Sequence, residues 1–159
     1  MKRLFTVFAV SVLVLTASGL VLAQSDSHIG TWKLNVAKSK FDPGPPIKSE
    51  TRTYESTGDG YKFNGERVNA DGSTATYGFT VKYDGKDYSI VGQDTYGADT
   101  LNVKLIDANH IASTSKKGGK VLYTSRVVVS QDGKVMTLTS KGTNASGQSF
   151  NNVAVYDKE

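Results

Sequence analysis

The side chains able to do chemistry are few and scattered. His28 and His110 are the only histidines and there is no cysteine. No H-x-H or H-x-x-x-H spacing joins the two, so the ligand set for zinc is missing. Asp94, Asp99 and Asp107 lack the alternating D-x-[DN]-x-[DN]-G spacing of a calcium loop and are expected to cap turn amides. Serines abound, but a nucleophile needs a base beside it. None lies in G-x-S-x-G, and neither histidine has an evident carboxylate partner. Glu50, Glu55 and Glu66 belong to the class that hydrolyses glycosides in pairs, yet isolated strand glutamates are ordinarily surface charges. The expectation is a protein that is not an enzyme, with no catalytic residue, no metal and no cofactor.

One guanidinium stands apart once the strands that carry it are paired. A two-residue turn at Asp71-Gly72 would place Lys62, Asn64 and Glu66 on the apolar side of Phe79. A three-residue loop, Ala70-Asp71-Gly72 with Gly72 left-handed, repairs the pattern. Phe63 then faces Phe79, Tyr61 faces Val81, and Arg67 faces Ala75. Arg67 therefore lands on the inward, apolar face, one pair from the turn. An arginine there requires an anion: a ligand carboxylate or phosphate, or Glu50 or Glu55 of the neighbouring strand. Snorkelling at the rim is the remaining option. Arg52, on one face with Tyr54, is a second group of this kind. Tyr61, Phe63, Tyr77, Phe79 and Tyr88 would line a cavity with Arg67, or fill it.

Those residues sit in a chain of hairpins. From Thr31 onward a period of two dominates, and no helical stripe exceeds two turns. Turn signals recur about every ten residues, at Asp59-Gly60, Asp71-Gly72, Asp84-Gly85, Asp107-Ala108-Asn109, Gly118-Gly119, Asp132-Gly133 and Ser146-Gly147. The runs between are rich in Thr, Val and Tyr. Ten strands are expected, at 30–36, 50–57, 60–68, 74–83, 87–92, 99–106, 109–117, 120–130, 133–141 and 149–157. A turn at Asp84-Gly85 sets Val81 against Tyr88 and Phe79 against Ile90. A turn at Asp132-Gly133 sets Val129 against Met136 and Val127 against Leu138, with Arg126 beside Thr139 on the opposite face. Short connections make an antiparallel up-and-down meander of eight to ten strands. Its two raw edges favour closure into a β-barrel, and above about eight strands a barrel has room beyond what its side chains fill. Residues 37–48, with Pro43-Gly44-Pro45-Pro46, form a loop over one end.

The ends of the chain bound where it works. Lys2 and Arg3, the apolar run Leu4 to Leu15, and Val21-Leu22-Ala23 read as a signal peptide over residues 1–23. One domain follows, residues 24–159. Removing Lys2 and Arg3 takes the formal charge from +4 to +2, too little to argue for nucleic acid or an anionic membrane. The apolar run is short for a membrane span. Periplasm or secretion is expected, with a monomer as the working form.

Gly30-Thr31-Trp32-Lys33-Leu34 resembles the opening of lipocalins and fatty-acid-binding proteins, where G-x-W begins the first strand. The longer stretch GTWKLNVAKSKF is similar to small secreted bacterial lipocalin-like proteins of unassigned activity. The resemblance implies a calycin β-barrel with the tryptophan at its closed end. In lipocalins a late-strand arginine packs over that tryptophan, and Arg126 is the late-strand candidate here. The helical lid of fatty-acid-binding proteins is replaced by the Pro-rich loop. Trp32 is expected to plug the barrel, with a ligand contact as the alternative. The function that follows is binding of a small hydrophobic or amphipathic molecule, one with an acidic group if Arg67 meets it. The competing expectation is an interaction protein whose barrel is filled.

Overall fold

The computed structural model describes residues 26–159, so the leader read at 1–23 lies outside it. The described chain is all-β, with one 3-10 turn at Val36–Lys38. Its strands are β1 (Gly30–Leu34), β2 (Ser49–Ser56), β3 (Gly60–Val68), β4 (Thr74–Lys82), β5 (Tyr88–Ser89), β6 (Val91–Gly92), β7 (Thr100–Asp107), β8 (His110–Lys117), β9 (Lys120–Val129), β10 (Val135–Thr143) and β11 (Ser149–Lys158).

All pairings are antiparallel, in the order β5-β7-β8-β9-β10-β11-β1-β2-β3-β4-β6. The two strands at the ends of that order, β5 and β6, are consecutive in the chain, with only Ile90 between them. The sheet therefore curls round until its ends share one segment, and the barrel is nearly closed. The ten expected strands become eleven for this reason. Residues 88–89 pair with β7 (Tyr88 with Leu101), while 91–92 pair with β4 (Tyr77 with Gly92). The Gly92 end keeps the expected register with β4, but the Val81–Tyr88 pair does not form. Asp84 accepts hydrogen bonds from the Lys86 amide and the Tyr88 phenol, so a loop turned by the carboxylate replaces the tight hairpin. Gly92 suits the crossover: its φ is +88°, and a Cβ would lie 3.0 Å from the Tyr77 Cα.

The other registers follow the period-two pattern. Phe63 pairs with Phe79, Tyr61 with Val81 and Arg67 with Ala75. Val129 pairs with Met136, Val127 with Leu138 and Arg126 with Thr139. Gly72 has φ +92° in its loop. Alternation decides burial, as β3 shows: Tyr61, Phe63, Gly65 and Arg67 are buried while Lys62, Asn64 and Glu66 are exposed.

One end of the barrel is sealed. Trp32 is fully buried and its indole N–H donates to the His28 carbonyl at 2.8 Å. It packs with Tyr54, Phe63, Met136 and Tyr156 in the main core. Burying an indole in such a cluster stabilises by a few kcal/mol, so Trp32 is the plug. The cation over its ring is Lys158 of β11, with Nζ 5.0 Å from the ring centroid. Arg126, the late-strand candidate, is exposed on the outer face.

His28 lies inside the seal. It is 1% exposed and meets Tyr54 and Tyr61 edge-on, with ring centroids at 5.5 and 5.0 Å. Tyr83 joins it: Nε2 is 3.3 Å from the phenol oxygen, which donates to Asp26 at 2.5 Å. Burial lowers the imidazole pKa to about 4, with Asp26 opposing the shift and Lys158 adding to it. His28 is therefore neutral over the physiological range. His110 sits outside in the β7–β8 turn, its Nδ1 2.7 Å from Asp107 Oδ1. It does have a carboxylate partner, contrary to the sequence reading.

Candidate ligand-binding cavity

Inside the barrel lies a cavity of about 90 Å³, and its two sides differ in chemistry. The first side is built by β2, β3 and β4, with Tyr156 of β11 joining it. Tyr54, Tyr61, Tyr77 and Phe79 line it, and Phe63 stacks behind on Phe79 with centroids 4.8 Å apart. Offset and edge contacts of this kind add about 0.5–1.5 kcal/mol each beyond area burial. Gly65 makes the packing possible. A Cβ there would lie 2.6 Å from the Tyr77 ring and 2.9 Å from that of Phe63, distances that would displace both rings.

Two charges are set among those rings. Arg52 stacks over Phe63 at 4.8 Å and Tyr156 at 5.4 Å, and its NH1 donates to the Tyr156 phenol at 3.3 Å. The same nitrogen is 3.8 Å from Glu50 Oε2, with the two side chains 10% and 4% exposed. The Glu50 carboxylate accepts from the Tyr77 phenol at 2.6 Å and from the Tyr156 phenol. Burial pushes both phenols well above the ordinary tyrosine range, with Glu50 adding to the shift and Arg52 opposing it. Both stay protonated and donate. Both carboxylate oxygens are thus partnered, which helps to keep the buried acid tolerable, whereas the Arg52 Nε has no hydrogen-bond partner.

The opposite side comes from β8 to β11 and carries a row of small polar side chains among Tyr123, Val127, Leu138 and Ala154. Register puts Ser113 against Ser125, Ser125 against Ser140, and Ser140 against Asn152. The result is one row of short polar side chains across four strands, all lining the cavity. The Ser125 and Ser140 hydroxyls are 2.7 Å apart. Ser115, one inward position nearer the mouth, is 2% exposed.

The mouth is bridged by two loops. Phe41 and Ile47 of the 35–48 loop reach the cavity, and that loop is tied to β11 through Lys40–Val153 and through the Asp42 amide to Asn152 Oδ1. The 93–99 loop is clamped on both sides. On one, the Arg67 guanidinium donates to Asn69 Oδ1 at 2.9 Å, to the Thr95 hydroxyl, and to the Gln93 carbonyl at 3.3 Å. On the other, Tyr96 stacks on Phe150 with centroids 3.8 Å apart, and its phenol accepts from Asn152 at 2.8 Å. Asp94 turns the loop by accepting from the Tyr96 and Ala98 amides and the Tyr123 phenol. Asp99 and Asp107 likewise accept turn amides.

Of the residues singled out from sequence, Tyr61, Tyr77 and Phe79 line the cavity. Phe63 is fully buried behind them. Tyr88 packs on the core edge with its hydroxyl tied to Asp84. Arg67 is buried and inward as expected, but its donors are spent on the mouth loop, and its ring neighbour is Tyr77 at 5.5 Å. Glu50, its cross-strand partner, turns instead to the tyrosines and Arg52. The central guanidinium is thus Arg52. The serine row went unread, although the register drawn from Asp132-Gly133 already sets Ser125 opposite Ser140.

No family model matches the chain, and no curated protein matches it in sequence. Among solved structures the fold is similar to that of the zebrafish ileal bile acid-binding protein in complex with cholic acid, at 15% identity and a TM-score of 0.50. The likeness covers 84% of this chain and 99% of that one. With the single antiparallel meander and the plugged end, this shows a shared fold: an up-and-down β-barrel like that of the bile acid-binding protein.

Proposed function

We propose that this protein is an exported carrier that holds a small amphipathic molecule inside its barrel. The observation that carries the reading is the interior cavity with packed rings on one side and a row of hydroxyls across the other. Apolar parts of a ligand gain by leaving water against Tyr54, Tyr61 and Phe79, at roughly 25 cal/mol per Å² before ordering costs. Its polar atoms meet the serine row. Cholic acid bound by the fold neighbour supports interior binding as the use of such a barrel. Size sets a limit. A cavity of about 90 Å³ is below the ~150 Å³ that takes benzene and far below the ~300–1,000 Å³ of ordinary ligand pockets. The closed form suits a compact ligand, and anything the size of a bile acid requires the mouth loops to lift. The reading includes no covalent step. Export to the periplasm or outside the cell rests on the leader at 1–23.

That small volume favours one competing reading, an interaction protein with a filled barrel. On the outer side of β2–β4 a broader concavity of about 640 Å³ is lined in part by Thr53, Asn64, Thr76 and Val91. Native mass spectrometry of protein purified from its own host separates the two. A retained small-molecule mass, released on acid unfolding, is the result expected of the carrier. A bare polypeptide that also fails to take up small alcohols and phenols supports the filled barrel.

A further inference from the structure

Resting on the reading of the cavity as a ligand site, we propose that it takes an uncharged ligand bearing hydroxyl or carbonyl oxygens. Glu50 is the residue that excludes anions, because it has already neutralised Arg52. Three features of the lining lead there.

Arg52 is the only cation in the lining, and Glu50 and Asp94 are its acids. The guanidinium is matched by a carboxylate 3.8 Å away that two phenols hold in place. A ligand carboxylate entering the cavity would find no unmatched positive charge and a second acid at the mouth. Burying an anion under those conditions is unfavourable. The other inward guanidinium, Arg67, offers no alternative, since its N–H groups bond Asn69, Thr95 and Gln93. The row on the facing wall, Ser113, Ser125 and Ser140, offers hydroxyls that both donate and accept, while Asn152 is held by the mouth loops. Such groups pair with hydroxyl or carbonyl oxygens without requiring charge.

Isothermal titration at pH 7.5 tests this, using two matched pairs, the compact 1-propanol with propanoate and the larger benzyl alcohol with benzoate, which needs the mouth loops to lift. Protein is unfolded and refolded first to strip any retained molecule. The wild type is expected to bind each alcohol about tenfold or more tighter than its acid. Glu50→Gln, which unmatches Arg52, is expected to tighten the acids about tenfold while moving the alcohols by less than about threefold. Acids binding the wild type as tightly as the alcohols overturns the inference and leaves the carrier reading standing. If no member of either pair binds wild type or variant, the carrier reading falls and this inference with it. Should Glu50→Gln fail to fold, the wild-type ratio decides alone.

Discussion

The wall made by β2–β4 and the wall made by β8–β11 face one cavity with opposite means. The first is rigid and full, with rings packed on rings around the Arg52–Glu50 pair. The second yields volume, because its central row is Ser113, Ser125, Ser140 and Asn152 where larger side chains would close the space. The difference lies in the size and polarity of the inward side chains. The lesson is that the ring wall determines how stable the barrel is, whereas the serine wall determines whether it is hollow.

The largest effect should come from removing one charge from the ring wall. Glu50→Ala leaves the Arg52 guanidinium buried beside rings with no counter-charge, and a loss of about 3–5 kcal/mol is expected from urea denaturation. Ser140→Ala on the facing wall should cost under about 1.5 kcal/mol, while Ser140→Leu should fill the cavity and abolish ligand uptake. Comparable losses in Glu50→Ala and Ser140→Ala would erase the distinction between the walls.

Next comes acid, acting where the ring wall continues into the plug. His28 has its folded pKa lowered from 6.5 to about 4 by burial. As pH falls from 6.5 to 4 the unfolded chain takes up a proton that the folded one refuses, so stability is full above 6.5 and falls through that window. The total amounts to about 3 kcal/mol. Denaturation midpoints measured from pH 7 to 4 should show this slope, and His28→Phe should flatten it. An unchanged slope in the variant would place the titration elsewhere.

Where the walls meet the mouth, Arg67→Ala should cost about 1–3 kcal/mol by removing two hydrogen bonds to the 93–99 loop and one to Asn69. Ligand exchange rates, followed by stopped flow, should rise while equilibrium affinity changes little. A loss of affinity without a change in rate would return Arg67 to the role of ligand anchor.

The smallest effects distinguish the two late-strand cations. Arg126→Ala should stay within about 0.5 kcal/mol of the wild type. Lys158→Ala should remove about 0.5–1 kcal/mol and alter the fluorescence of Trp32, above which it sits. The reverse pattern would restore the lipocalin-like placement of Arg126.

Much of this was legible in advance, for local reasons. Registers at Gly72 and at Asp132-Gly133 follow from alternation, because a slip of one residue would turn every apolar side chain outward. Trp32 reads as a plug from its position in the first strand. Residues 88–92 were not legible, since their division between β7 and β4 is imposed by closure between strands far apart in sequence. His28 was missed for a similar reason: its cage of Tyr54, Tyr61 and Tyr83 is assembled only when the barrel forms. Arg67 and Arg52 show the limit most clearly. Alternation places both inward, but which one meets the cavity depends on where the 93–99 loop folds back, and no periodicity encodes that.

The central claim, that a small molecule sits between the ring wall and the serine wall, is tested most directly by amide chemical-shift mapping during titration with benzyl alcohol. Shifts are expected to concentrate at Ser113, Ser125, Ser140, Tyr54 and Tyr77, with Thr53, Thr80 and Val91 on the outer concavity unmoved. Shifts confined to that outer surface, with the inward row silent, would contradict it.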